Sequence, residues 1–140
     1  MRIMGLDFGT KRIGIALSDE LLITAQGLDS LYRKVLREDI EGISKIVLEN
    51  NVQEIVIGLP INMNGSYGPK TKEVLEFVEE LSKVVKVPIR TWDERLTSVQ
   101  AERVLLEADT SRAKRKKVTD KLAAQLILQG YLDAKKKGLS

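Results

Sequence analysis

Residues 2–18 read RIMGLDFGTKRIGIALS, two apolar runs separated by Gly9-Thr10-Lys11. Apolar runs of this length, joined by a short turn that contains glycine, predict a β-hairpin with strands over residues 2–8 and 12–18. A first strand as apolar as this one is expected at the centre of a sheet, covered on both faces. Asp7 interrupts it, and a carboxylate in such a place is costly without a partner. The hairpin therefore predicts both the centre of the fold and the first candidate functional residue.

The remainder of the chain alternates between strand and helix patterns. Leu36, Ile40, Ile43 and Val47 follow the spacing of an amphipathic helix, which predicts a helix over residues 33–49. The other predicted elements are a strand within residues 22–32, a strand over 54–58, a helix after Pro69, a strand over 87–92, a helix opening at Thr97, a linker over 108–116 and a helix from about Lys116 to Leu132. This order predicts an α/β fold, in which a five-stranded mixed sheet combines an antiparallel three-strand meander with parallel strands and is flanked by helices.

Composition narrows the classes of function. With 140 residues, 43% hydrophobic and 31% charged, the chain is expected to form a single globular domain over residues 1–140. It contains no Cys and no His, which excludes thiol nucleophiles, cysteine zinc sites and imidazole bases. Because the N-terminus lacks a signal-peptide pattern and no apolar run reaches membrane-spanning length, we expect a cytoplasmic protein with no membrane partner.

Three acidic positions stand out against this background. Asp93-Glu94 follows the apolar run that ends at Trp92, at the carboxyl end of the fifth predicted strand. Asp120 shares a helical line with Ala124, Ile127 and Tyr131, so it is expected on the packed face of the last helix. Each acid also has a structural interpretation: an Asx turn for Asp7, a loop or helix lead-in for the Asp93-Glu94 pair, and an N-cap for Asp120.

Carboxylates from the first strand, the fifth strand and the last helix could meet at one end of the sheet. Without His or Cys, the natural partner of such a cluster is a hard divalent cation, Mg²⁺ or Mn²⁺, because these ions prefer oxygen ligands. Two such ions can bind the attacking and leaving oxygens of a phosphodiester, so no protein base is required.

Basic charge is concentrated at the C-terminal end. Residues 111–140 hold nine Lys or Arg and two Asp, so they carry +7 while the first 110 residues carry −4. Five cations fall within six residues, at Arg112, Lys114, Arg115, Lys116 and Lys117. Such a cluster is typical of a surface that binds a phosphate backbone, although a solvated face is the simpler alternative.

Four separated motifs resemble one known family. They are Gly5-Leu-Asp-Phe-Gly-Thr-Lys-Arg-Ile-Gly-Ile-Ala16, Gly58-Leu-Pro-Ile-Asn-Met-Asn-Gly65, Trp92-Asp-Glu-Arg-Leu-Thr-Ser98 and Val118-Thr-Asp-Lys-Leu-Ala-Ala-Gln-Leu-Ile-Leu-Gln129. Together they resemble the YqgF family, also called RuvX, whose members are described as Holliday junction resolvases or pre-16S rRNA nucleases. The resemblance implies a ribonuclease H-like fold and metal-dependent phosphodiester hydrolysis in the bacterial cytoplasm. It places the catalytic acids at Asp7, Glu94 and Asp120, without excluding Asp93 as a metal ligand.

The other motif residues have chemistry suited to phosphate. Lys11 and Arg12 follow Asp7 in the chain and are candidates for holding a phosphate, with surface solvation as the alternative. Asn62 and Asn64 lie in the loop that leads to Pro69, where a helix N-terminus favours anions. Arg95 is a further candidate phosphate contact.

Two other classes of function share features with this sequence. Asp7-Phe-Gly-Thr10 is similar to the first phosphate motif of sugar kinases and chaperone-type ATPases, but 140 residues cannot supply the two lobes that close over ATP. A catalytically silent RNA-binding or ribosome-assembly factor would have no chemical need for the three acids. The sequence leaves open whether the substrate is precursor rRNA or a DNA junction. It also leaves open the oligomeric state, since symmetric junction cleavage favours a homodimer and rRNA trimming does not need one.

Overall fold

The computed structural model describes residues 1–94 and 112–136, with side chains for 1–94 and 121–136. Its elements are β1 (Arg2–Phe8), β2 (Arg12–Ser18), β3 (Ala25–Tyr32), α1 (Leu36–Glu49), β4 (Val52–Leu59), α2 (Pro69–Ser82), β5 (Ile89–Asp93) and α3 (Arg112–Lys136). The predicted order of strands and helices is confirmed over these ranges. The helix predicted to open at Thr97 falls outside them.

The five strands form one mixed sheet in the order β3-β2-β1-β4-β5. β2 pairs antiparallel with both β1 and β3, whereas β4 pairs parallel with both β1 and β5. β1 is the central strand: Met4, for example, is opposite Leu17 on one side and Ile55 on the other. The mixed sheet predicted from the sequence is therefore confirmed.

Each face of the sheet is covered by helices. Met4, Leu6 and Phe8 of β1 belong to the core formed with α1 and α2, which contribute, among others, Ile43 and Phe77. Ile3 belongs to a second core on the opposite face, formed with α3. None of the helices described in 1–94 and 112–136 is both long enough and apolar enough to cross a membrane.

Helix α3 lies directly on β1. A Cβ added to Gly5 would come within 2.7 Å of the Leu128 Cβ, so only glycine allows this approach. Farther along α3, the Tyr131 hydroxyl donates a hydrogen bond to Glu54, at the beginning of β4. Ile127, one turn earlier, reaches Gly58 near the end of β4. Helix α3 therefore runs antiparallel to β1 and β4, with its N-terminal part toward their carboxyl ends.

Several predicted boundaries were wrong. Helix α1 begins at Leu36 rather than residue 33, because Val35 is extended, with φ −72° and ψ 154°. Strand β5 begins at Ile89 rather than residue 87, since Pro88 has no N–H to give to a sheet. Residues 112–116 are helical and not part of a linker, because Arg, Lys and Ala favour helix.

Candidate active site

Asp7 is half-buried near the carboxyl end of the central strand β1. Alternate residues of a strand point to opposite faces, so Asp7 shares a face with Ile3 and Gly5, the face that α3 covers. The turn that follows Asp7 closes through a backbone hydrogen bond from the Gly9 N–H to the Arg12 carbonyl, at 2.8 Å. A Cβ on Gly9 would lie 2.6 Å from that carbonyl, so the glycine is required by close backbone approach.

Glu94 follows β5 directly and reaches the same face of the sheet. A Cβ on Gly58 would approach both Glu94 and Ile127 of α3, so the Glu94 side chain lies on the α3 side of the sheet. The side chain of Glu94 shares a hydrogen bond with Asp7. Glu94 therefore contacts the acid of the first strand.

The carboxyl group of Glu94 holds its proton tightly. Burial, the hydrogen bond to Asp7 and the negative charge of Asp7 raise the pKa of Glu94 from 4.5 to about 9. The positive charge of Lys70 opposes this rise, while Asp93 adds to it. At neutral pH Glu94 thus keeps its proton, which the hydrogen bond with Asp7 helps to hold.

Gly58 makes room for this pair. It lies near the carboxyl end of β4, between β1 and β5, and is opposite Trp92 in the register. A Cβ there would come within 2.7 Å of Glu94 Oε1 and within 2.5 Å of Ile127 Cδ1. The missing side chain therefore lets Glu94 lie across β4 toward Asp7.

Asp120 belongs to α3, one turn before Ala124. Its neighbours on the predicted packed face, Ala124, Ile127 and Tyr131, are buried against the sheet, as predicted. The Ala124 carbonyl lies 3.1 Å from the position of a Cβ on Gly5, and α3 runs from there toward the strand ends that carry Asp7. The side chain of Asp120 is outside the described part, and among the described side chains no three metal-ligating residues form a group.

The donor set fits a hard divalent cation. Two carboxyl groups close enough to share a proton offer up to four oxygens to an ion that takes the place of that proton. Mg²⁺ and Mn²⁺ are suited to such all-oxygen sites, and the sequence, which has no His and no Cys, offers no imidazole or thiolate ligand.

Lys70 is a site residue that the sequence analysis missed. It lies in the first turn of α2, directly after Pro69, and its Nζ is 5.2 Å from the ring centroid of Phe8, the neighbour of Asp7. A cation in the first turn of a helix opposes the helix dipole, and the acid that pairs with Lys70, Glu73, comes three residues later, with its Oε2 3.9 Å from the Lys70 Nζ. This unfavourable charge was the signal in the sequence that could have identified Lys70.

The side chains that are predicted to contact phosphate differ in their partners. Lys11 is exposed in the turn after Asp7. The Arg12 guanidinium instead covers the ring of Tyr32, with its Cζ 5.0 Å from the ring centroid. Asn62 and Asn64 are exposed, but their side chains also make hydrogen bonds to Ser66 within their own loop.

The remaining basic candidates are described in part or not at all. Arg95 lies outside the described residues. The backbone of the C-terminal cation cluster, in contrast, forms the beginning of α3, and its members are Arg112, Lys114, Arg115, Lys116 and Lys117. The charges are thus attached to the same helix as Asp120, on its N-terminal side.

Comparison with known proteins agrees with this architecture. A family model described as RuvX, Holliday junction resolvase, matches residues 1–134. The chain belongs to the RuvX family. Among its RuvX relatives, a protein of Halothermothrix orenii is 52% identical over 137 residues, covering 98% of both chains, and one of Clostridium novyi is 54% identical over 134 residues, covering 96% of this chain and 99% of the relative. Both are named as candidate pre-16S rRNA nucleases.

Solved structures confirm the ribonuclease H-like fold of this RuvX chain. Thermus thermophilus RuvC in complex with a Holliday junction superposes with a TM-score of 0.63 at 15% identity, covering 98% of this chain and 96% of that one. The fowlpox virus resolvase, in complex with Holliday junction DNA, has a TM-score of 0.58 at 12% identity, with 96% and 98% covered. At such low identity, the likeness concerns the fold.

Proposed function

We propose that this chain is a divalent-metal-dependent nuclease that hydrolyses phosphodiester bonds in structured nucleic acid. The observation that carries the proposal is the Asp7–Glu94 pair, two carboxyl groups in hydrogen-bond contact at the carboxyl ends of β1 and β5. Bringing two acids together raises the free energy of the folded chain at neutral pH, so the pair destabilises the metal-free protein. A bound cation offsets that cost, which is the expected design of a metal site.

Asp7 and Glu94 would hold Mg²⁺ or Mn²⁺, and Asp120 would complete the ligand set from α3. When bound, such an ion stabilises charge on phosphate oxygens and lowers the pKa of the attacking water. Binding requires Glu94 to release the proton that it shares with Asp7. Lys70 assists that release, because its positive charge lowers the pKa of Glu94.

The surrounding cations bind and orient the polyanion. Lys11, Arg12 and Arg95 follow the two strand-end acids in the chain, so we assign them to phosphates near the cleaved bond. The C-terminal cation cluster attracts the phosphate backbone farther from the reacting atoms, where it contributes affinity rather than chemistry.

The names of relatives support two substrates. The RuvX relatives are named for pre-16S rRNA. We propose on this basis that the chain processes the 5′ end of that RNA, in ribosome biogenesis in the cytoplasm. The family description and the structures with bound junctions support Holliday junctions in DNA recombination, for which a homodimer would place two active sites on a symmetric substrate.

One experiment tests whether the chain hydrolyses nucleic acid and identifies which substrate it cleaves. Purified wild-type chain and Asp7→Asn are incubated with a pre-16S rRNA fragment and with a four-way DNA junction, each in Mg²⁺, in Mn²⁺ and in chelator. We expect cation-dependent cleavage of at least one substrate by the wild type and none by the variant. Equal cleavage by both proteins would contradict the assignment of Asp7.

Calorimetric titration with Mg²⁺ addresses the catalytically silent alternative. A nuclease should bind the cation in the wild type and lose that binding in Asp7→Asn. A silent RNA-binding factor should bind nucleic acid without either cation binding or cleavage. The contact between Asp7 and Glu94 favours the nuclease, because RNA binding alone does not need two acids held against each other.

A further inference from the structure

The loop between β4 and α2, residues 60–68, is held in one conformation by its own hydrogen bonds. The Gly65 N–H donates to the Asn62 carbonyl at 2.8 Å, and Gly65 adopts φ +86°, a backbone region that favours glycine. Asn64 Oδ1 accepts hydrogen bonds from the Ser66 N–H at 3.0 Å and from the Ser66 hydroxyl at 2.6 Å. The Asn64 side chain thus stabilises the conformation of the loop.

The loop exposes two apolar side chains. Met63 is 88% exposed and Tyr67 is 53% exposed. Within the described residues, the other aromatic rings all have partners: Phe8 packs on Phe77, Trp92 on Tyr131, and Tyr32 lies under Arg12. Tyr67 makes no comparable contact in the described part of the chain. Its ring is available on an ordered loop, at no cost in rearrangement.

The loop stands beside the two acids. β4 ends at Leu59, which is opposite Asp93 in the sheet, and the loop starts at the next residue. The Thr71 hydroxyl donates to the Pro60 carbonyl and so joins the two ends of the loop. Tyr67 precedes Lys70 by three residues, at most about 11 Å of chain, and Lys70 acts electrostatically on Glu94.

We infer that Tyr67 is a stacking platform for an unpaired nucleobase close to the cleaved phosphodiester. The inference rests on the proposed nuclease function and specifies its substrate: a strand with a base free of its helix, such as a bulge, a loop or a branch point. Every base has a π face, so stacking on Tyr67 selects for strand structure rather than for sequence. A base within a continuous duplex has no free face for the ring.

The test measures binding without cleavage. In an Asp7→Asn background with Mg²⁺, Tyr67→Ser and Tyr67→Phe are titrated against two oligonucleotides, one fully paired and one with a bulged 2-aminopurine. We expect Tyr67→Ser to lose about 5- to 150-fold in affinity for the bulged strand, equivalent to about 1–3 kcal/mol, and less than about twofold for the duplex. Tyr67→Phe should keep the affinity and the quenching of 2-aminopurine.

Leu48→Ser is the matched control, because Leu48 is 80% exposed on α1, close to the amino end of β4. It should leave both affinities unchanged. Equal losses on both oligonucleotides, no loss with Tyr67→Ser, or an equal loss with Tyr67→Phe would overturn the inference. If Tyr67→Ser instead abolished self-association and left binding intact, the surface would belong to a second copy of the chain.

The cleavage assay keeps the two proposals separate. If the wild type cleaves nothing while Tyr67→Ser selectively loses the bulged strand, hydrolysis is wrong and stacking stands. If the wild type cleaves and Tyr67→Ser binds the bulge as tightly as its parent, stacking is wrong and hydrolysis stands. Absence of binding to either oligonucleotide by the parent would overturn the stacking inference as well.

Discussion

Replacing Glu94 with Gln should stabilise the metal-free protein at neutral and alkaline pH. Burial and the contact with Asp7 raise the pKa of Glu94 to about 9 in the folded chain, against 4.5 when it is exposed. A raised carboxyl pKa leaves stability intact below pH 4.5, and that stability is lost as the pH rises toward 9. Each pH unit in this window costs up to about 1.4 kcal/mol, so the cost at pH 7 reaches about 3 kcal/mol. Gln has nearly the same shape and never ionises, so the variant escapes this cost.

Urea denaturation in chelator at pH 5, 7 and 9 checks this prediction. The free energy of unfolding of Glu94→Gln should exceed that of the wild type by an amount that grows from pH 5 to pH 9. Glu76→Gln, at an exposed position of α2, should change it by less than about 0.5 kcal/mol at every pH. A variant less stable than the wild type at pH 7, or a difference independent of pH, would refute the reasoning.

Added Mg²⁺ should reverse the order of stabilities. A cation that binds only the folded state raises the free energy of unfolding by an amount that grows with its concentration. The wild type should gain this stabilisation, and Glu94→Gln should lose most of it together with cleavage. If both proteins gained equally from Mg²⁺, the ion would have to bind elsewhere.

Three other predictions concern activity and binding. Asp7→Asn and Asp120→Asn should each lower cleavage by more than about 100-fold while a cooperative unfolding transition is retained, and the double variant should be little worse, which fully additive losses would contradict. Gly58→Ala should push Glu94 away from Asp7 and reduce cleavage at least about tenfold, at a cost of about 1–3 kcal/mol in urea denaturation; full activity would show that Glu94 tolerates displacement. Gln at Arg112, Lys114, Arg115, Lys116 and Lys117 should reduce the salt dependence of binding by about 0.7–0.9 per lost phosphate contact with little change in turnover, whereas an unchanged slope would mean that the cluster is only a solvated surface.

Local patterns in the sequence were sufficient to predict most elements. The two apolar runs of the hairpin form β1 and β2 with the predicted bounds. Their side chains alternate between the two faces of the sheet and are buried on both faces. The stripe that includes Ile40, Ile43 and Val47 became the buried face of α1. Strand β3 lies within the predicted range 22–32. Leu22 takes φ +60° in a turn in which Asp19 accepts hydrogen bonds from the Ile23 and Thr24 N–H groups, so β3 starts only at Ala25.

The candidate acids could be predicted from the sequence, because a carboxylate at the end of an apolar strand is costly unless it has a partner. What the sequence left open was the choice between Asp93 and Glu94. The tertiary structure brings Glu94 to Asp7, since parallel pairing of β4 with β1 and β5 sets the register and Gly58 leaves room for the Glu94 side chain on the face of Asp7. Gly58 and Lys70 join the site for the same reason: their closeness to Glu94 depends on contacts between residues far apart in the chain, which no local pattern records.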